Sequence, residues 1–295
     1  MAESFLRVRN LKLVFVAMFG ICAGMGVIWF VVQIYTLVFL TRVLKMDPQT
    51  ASLVLTVSLL IGMPFYLVVG RLSDCVGRKP VIVSGCVAAL LTIFPIFKGI
   101  THFTNPALER AQAVSPVVVV ADPDECPFQF NPIGISTFIS SCDIAKSALV
   151  RRGIPYSNQT AAPGEIARIR VGAATVASYD AKAPDVSERA ARFNQSIVSV
   201  LRDAQYPSSA DPAEINYVML TLLISLLVIY AATAYSRTAA ALVELFPTRI
   251  RYTSVSLPYH LGVGWFGGLL PATVVAISNR QHLRRLMVPR GNYRR

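Results

Sequence analysis

The sequence predicts an all-α integral membrane protein, a bundle of five spanning helices that carries one soluble external insertion. Three observations predict it. Of the 295 residues, 54% are apolar and only 15% are charged, against about 25% charge in soluble domains. Five runs free of Asp, Glu, Lys and Arg approach or exceed the roughly 20 residues that a bilayer requires. They are Leu13–Thr41, Pro48–Gly70, Pro80–Phe97, Ile215–Ser236 and Tyr252–Asn279. Lys and Arg also gather at the ends of these runs, in a pattern that assigns sides.

Taken in order, the first run is 29 residues long, too long for a signal peptide, and no small-residue cleavage site follows it. The second and third are joined by the short basic link Gly70–Pro80. The expected domains are 1–97 with three spans, an extracytoplasmic insertion over 98–214, two more spans over 215–279 and a basic tail over 280–295. The insertion is rich in Ala, Pro, Ser and Asp. It holds one β-like run, Pro116–Ala121, and two helix-like stretches, Cys142–Arg151 and Pro184–Arg202, the second with apolar residues at helical spacing.

The net charge of +12 reads as a nucleic-acid signal until it is located. Residues 98–214 hold 11 basic and 12 acidic residues, and the remainder holds 17 basic against four acidic ones. With the N-terminus inside, the cytoplasmic segments hold Arg7, Arg9 and Lys12, then Arg71, Arg78 and Lys79, then Arg237, Arg249 and Arg251. The short external link holds Arg42 and Lys45. The charge therefore expresses topology in a cell's plasma membrane and excludes nucleic acid as the partner. The tail, with Arg280, Arg284, Arg285, Arg290, Arg294 and Arg295, breaks the rule, since five spans from an inside start place it outside.

Catalytic chemistry and cofactors find no support. There is no phosphate-binding glycine loop, no nucleophile elbow and no zinc-type His-Glu-x-x-His run. The three histidines, His102, His260 and His282, are far apart and suggest no metal. The acids Asp122, Asp124 and Glu125 are expected on a solvated face. Cys126 and Cys142 lie in the external insertion, where an oxidising compartment lets them pair; two free thiols are the alternative. Cys22, Cys75 and Cys86 are expected to be reduced.

The run Gly70–Pro80 reads GRLSDCVGRKP, with the spacing G-x-x-x-D-x-x-G-R-K. Gly70 is expected to let two backbones approach. Asp74 suits a neighbouring helix N-terminus, Arg78 and Lys79 suit acids across the loop, Gly77 punctuates the turn and Pro80 fits a first helical turn. The link before the last span contains ELFPTRIR, from Glu244 through Pro247 and Arg249 to Arg251. The last span opens with LPYH, Leu257–His260. Together these stretches resemble the major facilitator superfamily, and specifically its metabolite:proton symporter family.

The resemblance implies a partial helix bundle of that type, matching the seventh to eleventh helices of a twelve-helix fold. It implies secondary transport of a small organic solute, such as a carboxylate or osmoprotectant, with protons as the coupled partner. Helices one to six and twelve are not represented, so a separately encoded N-terminal half is an expected partner, and a truncated or frame-shifted end is the expectation for the tail. Val263 stands where the family pattern has Asn. A non-transporting or partner-dependent half, and a membrane-anchored sensor using the insertion, are the alternatives.

Candidate solute-contacting residues follow from polarity inside apolar runs. Gln33 is costly there unless it faces a cavity or a neighbouring helix. Trp29 and Tyr35 flank it. Tyr259 and His260 form the ionisable pair of the last span, and His260 is equally suited to relaying protons or bonding a neighbouring helix. Gly262, Gly264, Gly267 and Gly268 permit tight helix contact, and Pro64 and Pro271 suit hinges.

Overall fold

The computed structural model describes residues 8–122, 126, 139–181 and 185–269. Asp124, Glu125, Pro271, His282 and the tail 280–295 lie outside the described residues. The elements in chain order are α1 (Asn10–Val43), α2 (Pro48–Val76), α3 (Arg78–Thr104), α4 (Pro106–Val114), β1 (Val117–Ala121), α5 (Ser141–Arg151), β2 (Ser157–Thr160), β3 (Arg168–Val171), β4 (Ala174–Ala177), α6 (Val186–Asp203), α7 (Tyr217–Tyr235), α8 (Thr238–Leu245) and α9 (Arg251–Gly268). Four helices among the described residues are long and apolar enough to cross a membrane: α1, α2, α3 and the stretch Tyr217–Leu245 that α7 and α8 make together. The described part of the fifth predicted span is α9, which is not among those four.

The chain divides into two compact units. The first is formed by the described parts of 1–37, 49–96 and 217–271, the second by 38–48 and 97–216.

The first unit is helical. Its central helix, α7, meets α1, α2 and α3, and small residues make that possible, as membrane helices gain from packing rather than from hydrophobic exclusion. A Cβ on Gly62 of α2 would strike Val228 of α7, and one on Gly85 of α3 would strike Thr233. Short hydroxyls join the same helices. Ser58 Oγ donates to Thr221 O at 3.3 Å, Ser225 Oγ to Ser58 O at 3.4 Å, and Thr92 Oγ1 to Tyr230 Oη at 3.0 Å. α1 and α9 meet through Gly26, Gly262 and Gly267: a Cβ on Gly26 would lie 3.1 Å from Val263 Cα, and one on Gly267 would lie 3.2 Å from Gly26 O. Gly264 and Gly268 have nothing within 4 Å, so half of the expected glycine contact forms.

α1 departs from regular α-geometry three times. Val16–Cys22, Val31–Tyr35 and Phe39–Val43 wind as π-helix, a geometry that appears mostly as short bulges and often at functional sites. The carbonyl of Val31 is met by Thr36 Oγ1 at 2.8 Å.

The second unit adds a small sheet to a mostly helical chain, at and beyond the β-like run Pro116–Ala121. It contains a four-stranded sheet in the order β2-β1-β3-β4, with β1 parallel to β2 and antiparallel to β3, and β3 antiparallel to β4. The parallel pair needs a crossover, which includes α5. Val117, Val119, Ala121, Ile169, Val171 and Val176 alternate onto one buried face, against which α5 and α6 pack. The β3–β4 hairpin turns through Gly172, at φ +56°. Caps are written in the sequence: Asn105 Oδ1 accepts from Leu108 N at 2.9 Å to start α4, with Pro106 behind it, and Ser140 Oγ accepts from Asp143 N at 3.1 Å to start α5.

Candidate functional site

The charged residues of the two motif-bearing links meet at one end of the helical unit. α2 stops at Val76 because Gly77 adopts φ +100°, which L side chains rarely take, and its N–H closes the last turn on Ser73 O at 3.0 Å. The single-residue break sets Arg78 as the first residue of α3. Asp74 Oδ2, on the last turn of α2, accepts from Arg237 Nη2 at 2.9 Å. Arg237 is the residue that caps α8. Arg78 forms an ion pair with Glu244, at the other end of α8. Two pairs thus tie the α2–α3 link to the two ends of one short helix.

Gly70 has a different role from the expected one. A Cβ there would lie 2.9 Å from Arg237 Nη2, so its missing side chain makes room for a guanidinium rather than for a second backbone. Asp74 meets the side chain of the residue at the N-terminus of α8, and Arg78 pairs with an acid of the distant link. Lys79 is exposed and takes no part in either pair. Beyond Glu244, Phe246 leaves α8 extended and is 2% exposed, packed in a cluster with Val14, Ala17, Cys22 and Leu242. Pro247 opens the 3-10 turn Thr248–Ile250, and Arg251 Nε donates back to Phe246 O at 3.3 Å.

Sequence reasoning placed Arg237 among the cytoplasmic bases but did not assign it a site. A signal existed. Asp74 and Glu244 are the two acids in links that otherwise hold only bases, so each was bound to find an arginine.

Within the apolar segments, Gln33 and Tyr35 are half-buried in the π turn Val31–Tyr35, and Trp29, one turn earlier, is exposed. Tyr259 of α9 is half-buried, with its hydroxyl 3.2 Å from that of Tyr235 on α7. Tyr66 of α2 is half-buried. Tyr66 and Tyr235 carry no sequence signal that separates them from packing tyrosines. His260 is exposed and stands edge-on to Tyr259, with ring centroids 5.5 Å apart.

In the second unit, Cys126 and Cys142 are disulfide-bonded, with Cα atoms 5.5 Å apart. Cys22, Cys75 and Cys86 are free thiols, and Cys75 is exposed. Asp122 is not on a solvated face. It is buried, and its Oδ2 accepts the Gly164 N–H at 2.9 Å, which serves the turn that Gly164 makes at φ +77°. Lys146 of α5 is buried, and desolvation pushes its ammonium below the usual lysine range, with Asp143 opposing. Among the described residues, no group of three His, Cys, Asp or Glu side chains is placed to hold a metal ion.

The fold and these contacts define a mostly helical protein with four helices suited to a membrane. Comparison with family models, with curated proteins and with solved structures finds no match for this chain.

Proposed function

We propose that the chain is part of a secondary active transporter of the kind its motifs resemble, in the metabolite:proton symporter family of the major facilitator superfamily. The observation that carries this proposal is the pairing of Asp74 with Arg237 and of Arg78 with Glu244. Arg78–Glu244 joins the two stretches that carry the resemblance, Asp74–Arg237 ties the first of them to the start of α8, and both are partly exposed, low-strength pairs. Such pairs suit a latch that forms in one conformation and opens in another, as alternating access requires.

The proposed topology has five spans, the N-terminus in the cytoplasm of a plasma membrane and residues 98–214 outside. Contacts between loops support it. The α2–α3 link meets α8 and the residue before it, both proposed as cytoplasmic. Residues 38–48 and 97–216, proposed as external, fall in one compact unit. The solute is a small organic molecule bound near Gln33, Tyr235 and Tyr259, coupled to protons. A companion helical half completes the wall of its path.

Uptake in proteoliposomes tests this proposal. Labelled carboxylates and osmoprotectants are offered under an inward proton gradient, to the chain alone and with co-expressed neighbouring membrane segments. The expected result is gradient-dependent uptake that Asp74→Asn slows about twofold, the size of effect that losing a partly exposed ion pair of about 0.5 kcal/mol produces on a two-state equilibrium. Absence of uptake in every combination rejects it.

A further inference from the structure

The short segment that joins α1 to α2 is gripped by three separate parts of the inserted domain. From the α3–α4 junction, Asn105, 1% exposed, sends Nδ2 to Leu44 O at 3.0 Å while its Oδ1 caps α4. From the loop after α5, Gly153 approaches so closely that a Cβ would lie 2.9 Å from the carbonyl carbon of Arg42 and 3.2 Å from Val43 Cα. From the stretch after α6, Pro207 O accepts Lys45 Nζ at 2.7 Å and Ala210 N–H donates to Lys45 O at 3.0 Å. Phe39 meets Phe97 edge-on with centroids 5.1 Å apart, and Leu40, Leu44 and Met46 are all buried.

Two features make this more than ordinary packing. The last carbonyls of a helix lack intrahelical partners, and here a buried side chain from 61 residues away takes one of them. Lys45 is held at φ +57°, a conformation that persists in a non-glycine residue only where surroundings over-determine it. The Gly153 approach falls on Arg42 and Val43, at the end of the π turn Phe39–Val43, and the hydrogen bonds fall on Leu44 and Lys45, which follow it directly; the turn's bond from Leu44 N to Phe39 O is 2.9 Å. A π turn carries one residue more than the α turn that is its nearest alternative, so rewinding to α would shift Leu44 and Lys45 away from the partners that hold them.

We propose that the inserted domain is a clamp that holds the end of α1 in its π register, so that release of the clamp lets this end of α1 change register. The proposal stands apart from the transport proposal. If both hold, the clamp acts on the helix that carries Gln33.

Hydrogen exchange on the full chain in lipid nanodiscs tests it, using Asn105→Asp, which keeps the cap and removes the donor, together with Lys45→Met. Losing one hydrogen bond of ordinary strength accelerates local opening about fivefold. The expected result is faster exchange over residues 39–48 by at least that factor, with β1 and β3 unchanged. Unchanged exchange over 39–48 overturns the clamp. So does acceleration that is equal in 39–48 and in the two strands, which signals loss of domain stability alone. Solute uptake is not read, so failure here leaves the transport proposal untouched.

Discussion

At Gly70 a single hydrogen atom decides whether Arg237 reaches Asp74. The guanidinium lies where a side chain would be, with Nη2 only 2.9 Å from the ideal Cβ position. Gly70→Ala therefore displaces the guanidinium while leaving both charges in place. Asp74 is more than half exposed and Arg237 less so, so the pair contributes on the order of 0.5 kcal/mol to stability. A double-mutant cycle of Asp74→Asn and Arg237→Gln, read by thermal unfolding in detergent, yields that coupling in the wild-type background and none in Gly70→Ala. Equal coupling in both backgrounds contradicts this account of the glycine. The motif glycine was legible in the sequence, but its purpose was not. The pattern G-x-x-x-D-x-x-G-R-K does not say what fills the space a glycine leaves.

Helix α5 shows what pattern alone conveys about an element. Its extent was legible as the helix-like stretch Cys142–Arg151, against an observed Ser141–Arg151. Its burial was not, because SCDIAKSALVR is only weakly apolar and yet buries Cys142, Asp143, Lys146 and Leu149 alike. The sheet beside it was equally hidden. SNQT, RIRV and ATVA are four residues each, too short for alternation to stand out, and only the valine run of β1 announced itself. The spans were the most legible elements, since lipid demands an unbroken apolar length, although nothing in α1 announced its π turns. Burial of Lys146 has a measurable sign. Its folded pKa lies below its unfolded one, so the unfolded chain binds more protons across that interval and stability rises with pH through it. The cost is present in full at neutral pH and is relieved as pH climbs from the lowered value towards the ordinary 10.5. Lys146→Met removes a desolvated charge whose partner sits on the same helix, and is expected to stabilise the chain by on the order of 1 kcal/mol at pH 7. Thermal melts of both proteins from pH 7 to 10 check it: the gain shrinks at the alkaline end, while a constant or negative difference contradicts it.

Across the whole molecule, the free and bonded cysteines sort with the proposed sides. The disulfide Cys126–Cys142 lies in the unit proposed to be outside, where an oxidising compartment preserves it, and Cys75, exposed and unpaired, sits on the last turn of α2 beside the Asp74–Arg237 pair. Charge counting and disulfide chemistry are independent arguments for the proposed sides, one resting on insertion of spans and the other on redox state. The odd number of spans is the point at which they can be separated. If α9 crosses, the chain has five spans; if it does not, residues 71–79 still lie opposite residues 98–214, because the single crossing by α3 lies between them. Sidedness of these two segments relative to one another therefore tests α3 alone. A membrane-impermeant maleimide applied to right-side-out and inverted vesicles reads it directly. Cys75 is expected to label only in inverted vesicles, and a cysteine introduced by Ala162→Cys, at an exposed position of the insertion, only in right-side-out ones. Labelling of both from the same side removes α3 from the list of spans and, with it, the argument that the Gly70–Pro80 link faces the cytoplasm.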